Sequence, residues 1–217
     1  MPRVTIGVVA PHTVPAVFLK PLFEVIEHTR KKVGEVSLSV NNQGFLHSAR
    51  NTCAQEALSN GSDYLFFLDA DIIAPANIVE RLVSKEKDII GGPCHYRVAP
   101  YPPLLYKKKG NSLEYVLETD VTEKRLYKAD ALGAGCLLIN RRVLEKIGQP
   151  FFDLRIGEAW VGEDIYFSRK ASENGFGLWF DNTIQGVKHF GAAVDSNDYR
   201  AWGELIRKGE ARFNVKK

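Results

Sequence analysis

Two aspartates separated by one small residue are the clearest chemical feature of the chain: Asp69 and Asp71 flank Ala70 and directly follow an apolar run at residues 64–68. Because side chains alternate along an extended chain, both carboxylates point to the same side. Carboxylate oxygens suit Mg²⁺ or Mn²⁺, which keep further positions open for phosphate oxygens. The triplet therefore predicts a divalent-cation site that holds a diphosphate, with a solvated turn as the ordinary alternative.

A second acidic pair, Glu163 and Asp164, follows Gly162 at the predicted start of a helix. The glycine permits a tight turn, and the positive end of the helix dipole keeps both carboxylates ionised. Acids in the first turn of a helix are common for stability alone. Without its sequence context, the pair therefore indicates ordinary capping.

The segments that must position these acids alternate between strands and helices. Apolar runs predict strands at residues 4–10, 36–40, 64–68, 88–92 and 136–139. Helical spacing predicts helices at residues 17–30, 48–58 and 75–84, near 141, and at 163–174. This alternation indicates a doubly wound α/β sheet, and it puts the aspartates at the carboxyl end of a strand, where such sheets bind ligands. Residues 93–128 instead predict antiparallel strands and loops.

The composition describes a folded domain without a nucleic-acid surface. The chain of 217 residues is 45% hydrophobic, and its 29 basic and 26 acidic residues leave a net charge of only +3. Three widely spaced cysteines predict reduced, buried thiols. No apolar run approaches bilayer length, so we expect a soluble cytoplasmic protein without a transmembrane segment. The basic tail at residues 207–217 leaves peripheral membrane association open.

Four segments carry a resemblance to a known family: LFFLDADI, ALGAGCLLINRRVLEKIG, GEDIYFSRKASENGFGLWFDN and VKHFG. In this order they resemble the GT-A glycosyltransferases, especially the inverting family 2-like group. The resemblance implies a GT-A type α/β fold, with a Rossmann-like, mostly parallel sheet flanked by helices and a small antiparallel portion. It also implies transfer of a sugar from a nucleoside-diphosphate-sugar donor to an acceptor hydroxyl, with Mn²⁺ or Mg²⁺ as cofactor.

The same resemblance implies roles for the acids. Asp69 contacts the nucleotide ribose, or the metal through water, while Asp71 is a direct metal ligand. His189 is implied as a further metal ligand, which suits Mn²⁺ better than Mg²⁺, with a hydrogen-bonded histidine at a strand end as the alternative. Asp164 is implied as the base that deprotonates the acceptor hydroxyl. Glu163 orients the acceptor, and the reverse assignment of the two acids stays open.

Donor and acceptor residues are implied in the same way. Asn41 ends the second strand, where many relatives use an aspartate to bind the base. Arg50 matches a basic position near the nucleotide, with an exposed helix charge as the alternative. Trp160 is a candidate for stacking on the acceptor sugar, or an ordinary packing aromatic. The other donor-binding candidates are Pro11, His12, Thr13, Ala70, Gly133, Ala134 and Gly135. The resemblance favours a close approach of the backbone to a sugar ring at the glycines among them, with a simple tight turn as the alternative.

The expected partners follow from these assignments. A UDP-sugar is the expected donor and a GDP-sugar the alternative, because an asparagine replaces the base-binding aspartate. The acceptor is a glycan, a lipid-linked sugar or a protein, and no nucleic-acid partner is expected. Residues 1–217 are predicted as one domain, with a nucleotide-binding part at about 1–92 and an acceptor and catalytic part at about 93–217; a larger enzyme stays open.

Rival functions remain at this point. A retaining GT-A transferase would keep the metal site without a catalytic base, and a non-catalytic module would bind sugar nucleotides or glycans only. A nucleotidyltransferase usually has a glycine-rich loop after its first strand, which this sequence lacks. The aromatic and basic loop at residues 94–97 is typical of a lid or an acceptor-binding edge.

Overall fold

The computed structural model describes residues 1–10, 13–42, 44–110 and 114–189, together with residues 204, 207 and 208. The helices of this part are α1 (Ala16–Lys32), α2 (Leu46–Ser59), α3 (Ile78–Val83), α4 (Arg141–Ile147) and α5 (Glu163–Glu173). Its strands are β1 (Arg3–Val9), β2 (Glu35–Asn41), β3 (Tyr64–Leu68), β4 (Ile72–Ile73), β5 (Ile89–Gly91), β6 (Leu105–Lys108), β7 (Tyr115–Leu117), β8 (Leu126–Ala129), β9 (Ala131–Leu132), β10 (Cys136–Asn140), β11 (Arg155–Ile156), β12 (Ala159–Trp160), β13 (Leu178–Asp181) and β14 (Lys188–His189).

A mixed sheet of seven strands, in the order β2-β1-β3-β10-β5-β13-β8, organises the chain. Strand β10 runs antiparallel to both β3 and β5, and β8 runs antiparallel to β13. The other ladders are parallel, so five of the seven strands share one direction. The predicted α/β fold with a mostly parallel sheet is confirmed, and the antiparallel sheet β7-β6-β9 supplies the predicted smaller portion.

Helices cover both faces of the sheet, which explains why strand β3 is apolar at every position. Leu65 and Phe67 pack into the core cluster shared with α2, α4 and α5. Phe66 and Leu68 pack into the cluster shared with α1 and α3. All four side chains are buried. A strand covered on both faces needs such a continuous run, which explains why this strand could be delimited from the sequence.

Two predicted segments differ in detail from the structure. Helix α3 begins at Ile78 rather than at residue 75, because the Ile78 N–H donates to the Pro75 carbonyl in a preceding turn. Helix α5 ends at Glu173, one residue before the predicted end, and Gly175 follows with a φ of 90° that favours glycine. No helix in the described ranges is long and apolar enough to cross a membrane.

Asn51 on α2 fixes the segment that leads from α4 towards α5. Its Oδ1 accepts from the N–H groups of Phe151 (2.8 Å) and Phe152 (3.1 Å), and its Nδ2 donates to the Phe152 carbonyl at 2.7 Å. The Phe152 ring in turn stacks on Phe167 of α5 and meets Phe67 of β3 edge-on. The Asn51 amide therefore ties residues 151 and 152 to α2, and the Phe152 ring packs this segment against α5 and β3.

Replacing Asn51 with Ala should lower the free energy of unfolding by about 2 kcal/mol, because buried backbone groups lose their partners. Urea unfolding measures this change. The matched control is Thr52→Ala, which removes an exposed hydroxyl bond from the neighbouring position and should cost less than about 0.5 kcal/mol. Equal losses for the two variants would contradict the role given to Asn51.

Candidate active site

A cavity of about 590 Å³ opens where β1, β2 and β3 end. It lies at the carboxyl edge of these parallel strands, the position at which open α/β sheets bind ligands. The predicted site residues that line it are Thr13, Arg50, Asp69, Ala70, Asp71, Gly133, Ala134, Gly135, Glu163, Asp164 and His189. Residues separated by more than a hundred positions thus border a single cavity.

Two predicted site residues do not line the cavity, and two others lie outside the described part of the structure. Asn41 does not line the cavity, because its Nδ2 donates to Ser39 Oγ (3.0 Å) and contacts Cys53 Sγ (3.3 Å). Trp160 is 69% exposed on β12, and the Arg155 guanidinium lies 4.5 Å from the centre of its ring. Pro11 and His12 lie outside the described residues.

Arg50 joins two of the predicted acids. Its guanidinium is 2% exposed and donates to both carboxylate oxygens of Asp69, at 3.0 and 2.9 Å, and to Glu163 Oε1 at 3.2 Å. It also lies over the Phe67 ring. A buried guanidinium needs this compensation. Arg50 therefore links the acids on the two walls of the cavity, and its contact with the nucleotide stays a prediction.

The glycines near the cavity make room for protein groups. A Cβ on Gly135 would lie 3.0 Å from Asp69 Oδ2, and the Asp69 N–H donates to the Gly135 carbonyl at 2.9 Å. A Cβ on Gly133 would lie only 2.7 Å from the Cβ of Leu104. The small residues of this segment thus allow Asp69 and the loop before β6 to approach the sheet closely.

Asp164 lies beside Glu163 at the start of α5, and its Oδ1 accepts from the Ile165 N–H at 2.7 Å. A Cβ on Gly162 would lie 2.6 Å from that oxygen, so only glycine leaves space for this conformation. Burial, assisted by the negative charge of Glu163, raises the pKa of Asp164 to about 6. The carboxylate can accept a proton near neutral pH better than an exposed aspartate can.

His189 reaches Asp71 because β14 pairs with β4, which begins directly after the aspartate triplet. Its Nδ1–H donates to the His95 carbonyl at 2.8 Å, and burial lowers the pKa of the imidazole. The neutral ring then presents the Nε2 lone pair, 3.6 Å from Asp71 Oδ2. A backbone carbonyl on the distal nitrogen is the usual support of a metal-binding histidine.

The residues present fit a divalent cation that takes few ligands from the protein. Asp71 and His189 offer one carboxylate and one imidazole nitrogen, while both oxygens of Asp69 accept from Arg50. No group of three or more His, Cys, Asp or Glu side chains that could hold a metal occurs among the described residues. A cation here would complete its coordination with phosphate oxygens and water, as Mg²⁺ and Mn²⁺ do at substrate phosphates.

Several cavity residues were not predicted from the sequence: Asn42, Phe45, Leu46 and Leu104. Cys94 and Arg97 belong to the loop that the sequence marked as a lid or an acceptor-binding edge, and both line the cavity. Phe45 is 73% exposed and its ring stacks on His47. An aromatic residue in the polar stretch after the second strand was a usable signal for a binding surface. Arg97 donates to both Asp71 and His189, and no local pattern indicates that contact.

Comparison with known proteins identifies the fold. No family model matches the sequence, and no curated protein sequence matches it. Among solved structures, A197 from STIV matches with a TM-score of 0.56 and 20% identity, over 90% of this chain and 87% of that one. GalNAc-T7, solved with UDP, GalNAc and Mn²⁺, matches with a TM-score of 0.53 and 17% identity, over 94% of this chain and 48% of that one.

A mutant of the Drosophila β-1,4-galactosyltransferase 7, solved with manganese, UDP-Gal and xylobiose, matches over the whole of this chain and 82% of that one. The TM-score is 0.53 at 14% identity. The chain has the GT-A fold. The fold expected from the four sequence segments is thereby confirmed, and its structural neighbours include glycosyltransferases that were solved with UDP or a UDP-sugar and manganese.

Replacing Asp164 with Asn should stabilise the protein at neutral pH. Because the pKa is raised on folding, ionisation of Asp164 costs stability: the cost is absent below about pH 4, grows as the pH rises to about 6, and is constant above. Asn keeps an oxygen for the Ile165 N–H without the charge. We expect a gain of about 1–3 kcal/mol at pH 7.5.

Urea unfolding of the wild type and D164N at pH 7.5 and pH 4.0 measures the difference. The gain should shrink strongly at pH 4.0, where the wild-type carboxyl is largely protonated. A gain of equal size at both pH values, or a loss at pH 7.5, would contradict the raised pKa.

Proposed function

We propose that this protein transfers a sugar from a nucleoside-diphosphate-sugar donor to an acceptor hydroxyl with a divalent cation, inverting the anomeric centre. The observation that supports this most is the meeting of two separate acidic groups at one cavity of a GT-A fold. The Asp71–His189 pair lies on one side, and the Glu163–Asp164 pair lies at the start of α5. A cation site and a positioned base are the two features that a metal-assisted inverting transfer uses.

The cavity has the size and the charge for a sugar nucleotide held by a cation. A volume of about 590 Å³ lies within the range of small-molecule sites, roughly 300–1,000 Å³. Without a cation, the acidic side chains that line the cavity would repel a diphosphate. Asp71 and His189 would hold the cation, with Asp69 nearby, and the bound cation would neutralise the negative charge that develops on the departing nucleoside diphosphate.

Asp164 is the proposed base. It would take the proton of the acceptor hydroxyl as the hydroxyl oxygen attacks the anomeric carbon and the bond to the diphosphate breaks. Its raised pKa supports this role, since a carboxylate with a pKa of about 6 is still ionised at pH 7 and is a stronger base than an exposed aspartate. Glu163, held by Arg50, orients the acceptor from the adjacent position.

The donor would lie along the ends of the first three strands. Thr13 and Ala70 line this side together with the backbone of residues 133–135, and Asn42 with Phe45 extends it towards solvent. Asn42 takes the place at the cavity that Asn41 was expected to fill. Two neighbours of the same fold were solved with UDP or UDP-Gal and manganese, which supports a UDP-sugar and Mn²⁺ for this chain.

Trp160 remains the proposed acceptor contact. It is exposed on the β11-β12 hairpin directly before the acidic helix start, outside the cavity lining. An exposed indole at this position offers a flat apolar face to a sugar ring. An acceptor bound there would reach Asp164 from the solvent side of the cavity.

Replacing Asp164 with Asn should lower transfer at least about 100-fold, because the acceptor proton loses its base. Release of UDP from a panel of UDP-sugars with glycan acceptors in Mn²⁺ measures transfer. Calorimetry should find UDP affinity within about twofold of the wild type, because the cation site is untouched.

The matched control is Asp153→Asn. Asp153 Oδ1 accepts from the N–H of the next residue, as Asp164 Oδ1 does, and Asp153 does not line the cavity. Transfer should stay near the wild-type rate in this control. Undiminished transfer in D164N would contradict the role of Asp164 as the base and would favour a retaining mechanism. Transfer that persists in excess chelator would contradict the role of the divalent cation.

A further inference from the structure

One guanidinium lies between the two side chains that would hold the cation. Arg97 Nη2 donates to Asp71 Oδ2, and Arg97 Nε donates to His189 Nε2 at 2.8 Å. These acceptors are the same carboxylate oxygen and the same imidazole nitrogen that face each other at 3.6 Å. The positive charge of Arg97 therefore lies where a divalent cation would bind.

The loop that carries Arg97 is anchored at its base and exposed at its tip. The Leu104 N–H donates to the Cys94 carbonyl, and the Tyr96 N–H donates to the Pro102 carbonyl, both at 2.8 Å. Beyond these bonds the side chain of Arg97 is 54% exposed. The guanidinium can consequently leave its partners without unpacking buried apolar side chains.

The charges around the cavity distinguish Arg97 from the other arginine that lines it. Arg50 is buried and donates to Asp69 and Glu163, so its guanidinium cannot move towards a ligand without breaking these ion pairs. Among the described residues, the Arg97 guanidinium donates to Asp71 and His189, the groups that a divalent cation would take over. Once these are taken, its charge and its planar set of donors are available to an anion in the same cavity.

We propose that Arg97 is an exchangeable cation: it yields Asp71 and His189 to the divalent cation and then binds the diphosphate of the donor. The proposal rests on the proposed function, because the anion it names is the donor's diphosphate. In the metal-free protein the guanidinium neutralises Asp71. When the divalent cation and the donor are bound, the cation neutralises Asp71. Arg97 then moves to the negative charge of the diphosphate that the cation leaves uncompensated.

The exchange predicts that substitution of Arg97 strengthens the binding of Mn²⁺ and weakens the binding of UDP. Without Arg97 the cation has no internal competitor, so Arg97→Ala should lower the Kd for Mn²⁺ alone by about 3- to 10-fold. With Mn²⁺ saturating, the same variant lacks a charge-assisted bond to the diphosphate. Its Kd for UDP should rise about 10-fold.

Isothermal titration calorimetry of Mn²⁺ alone, and then of UDP at saturating Mn²⁺, measures both constants without any need for activity. The matched control is Arg125→Ala, which removes an equally exposed arginine in an ion pair with Glu123, outside the cavity lining. Both constants should stay within about twofold of the wild type in this control. A general loss of structure cannot tighten one ligand while weakening the other.

Each outcome decides the proposal. Tighter Mn²⁺ together with weaker UDP supports the exchange. Unchanged or weaker Mn²⁺ binding in Arg97→Ala contradicts the competition, and unchanged or tighter UDP binding contradicts the contact with the diphosphate. Either result overturns the exchange but leaves the proposed function standing if the wild type binds UDP only with Mn²⁺. A wild type that binds neither ligand overturns both.

Discussion

The buried guanidinium of Arg50 is the interaction on which the rest of the site depends. It lies on α2 and holds Asp69, which follows β3, together with Glu163, which begins α5. A buried arginine is tolerated only when its charge and donors are matched, and removing one partner of such a set typically costs about 3–5 kcal/mol. The spacing between the strand ends and the acidic helix is therefore set by this charge, with the glycine at residue 135 leaving space for the Asp69 carboxylate.

The acidic residues around Arg50 differ in the roles proposed for them. Both carboxylate oxygens of Asp69 accept from Arg50, so the proposed cation ligands are Asp71 and His189, which a short strand pairing brings together. Glu163 is occupied as well, which leaves Asp164 as the carboxylate whose pKa is raised by burial and by its neighbour. The two acids of each motif are thus proposed to differ in role, because one acid of each pair accepts from the same guanidinium.

The fold could be predicted largely because its signals are local. The run at residues 64–68 gave β3 with its observed bounds, and the acidic helix start and Gly175 delimited α5 closely. The direction of β10 could not be predicted, because an apolar run buried on both faces is the same in a parallel or an antiparallel strand. Its position between β3 and β5 is set by tertiary pairing.

The site was predictable in part for the same reason. Motifs at strand and helix ends indicated the acids and His189, whose positions follow from where the elements end. Asn41 was expected at the cavity, but its neighbour Asn42 lies there, since a shift of one residue at a strand end reverses the side-chain direction. The contacts of Arg50 and Arg97 join residues far apart in sequence, and nothing in local spacing encodes them.

The central claim is that a divalent cation bound by Asp71 and His189 holds the donor's diphosphate in this cavity. X-ray diffraction from crystals grown with UDP and Mn²⁺, with anomalous data collected near the manganese edge, tests it most directly. We expect one strong anomalous peak within coordinating distance of Asp71 Oδ2, His189 Nε2 and a phosphate oxygen. UDP bound in the cavity without a peak at that position, or a peak away from both side chains, would contradict it.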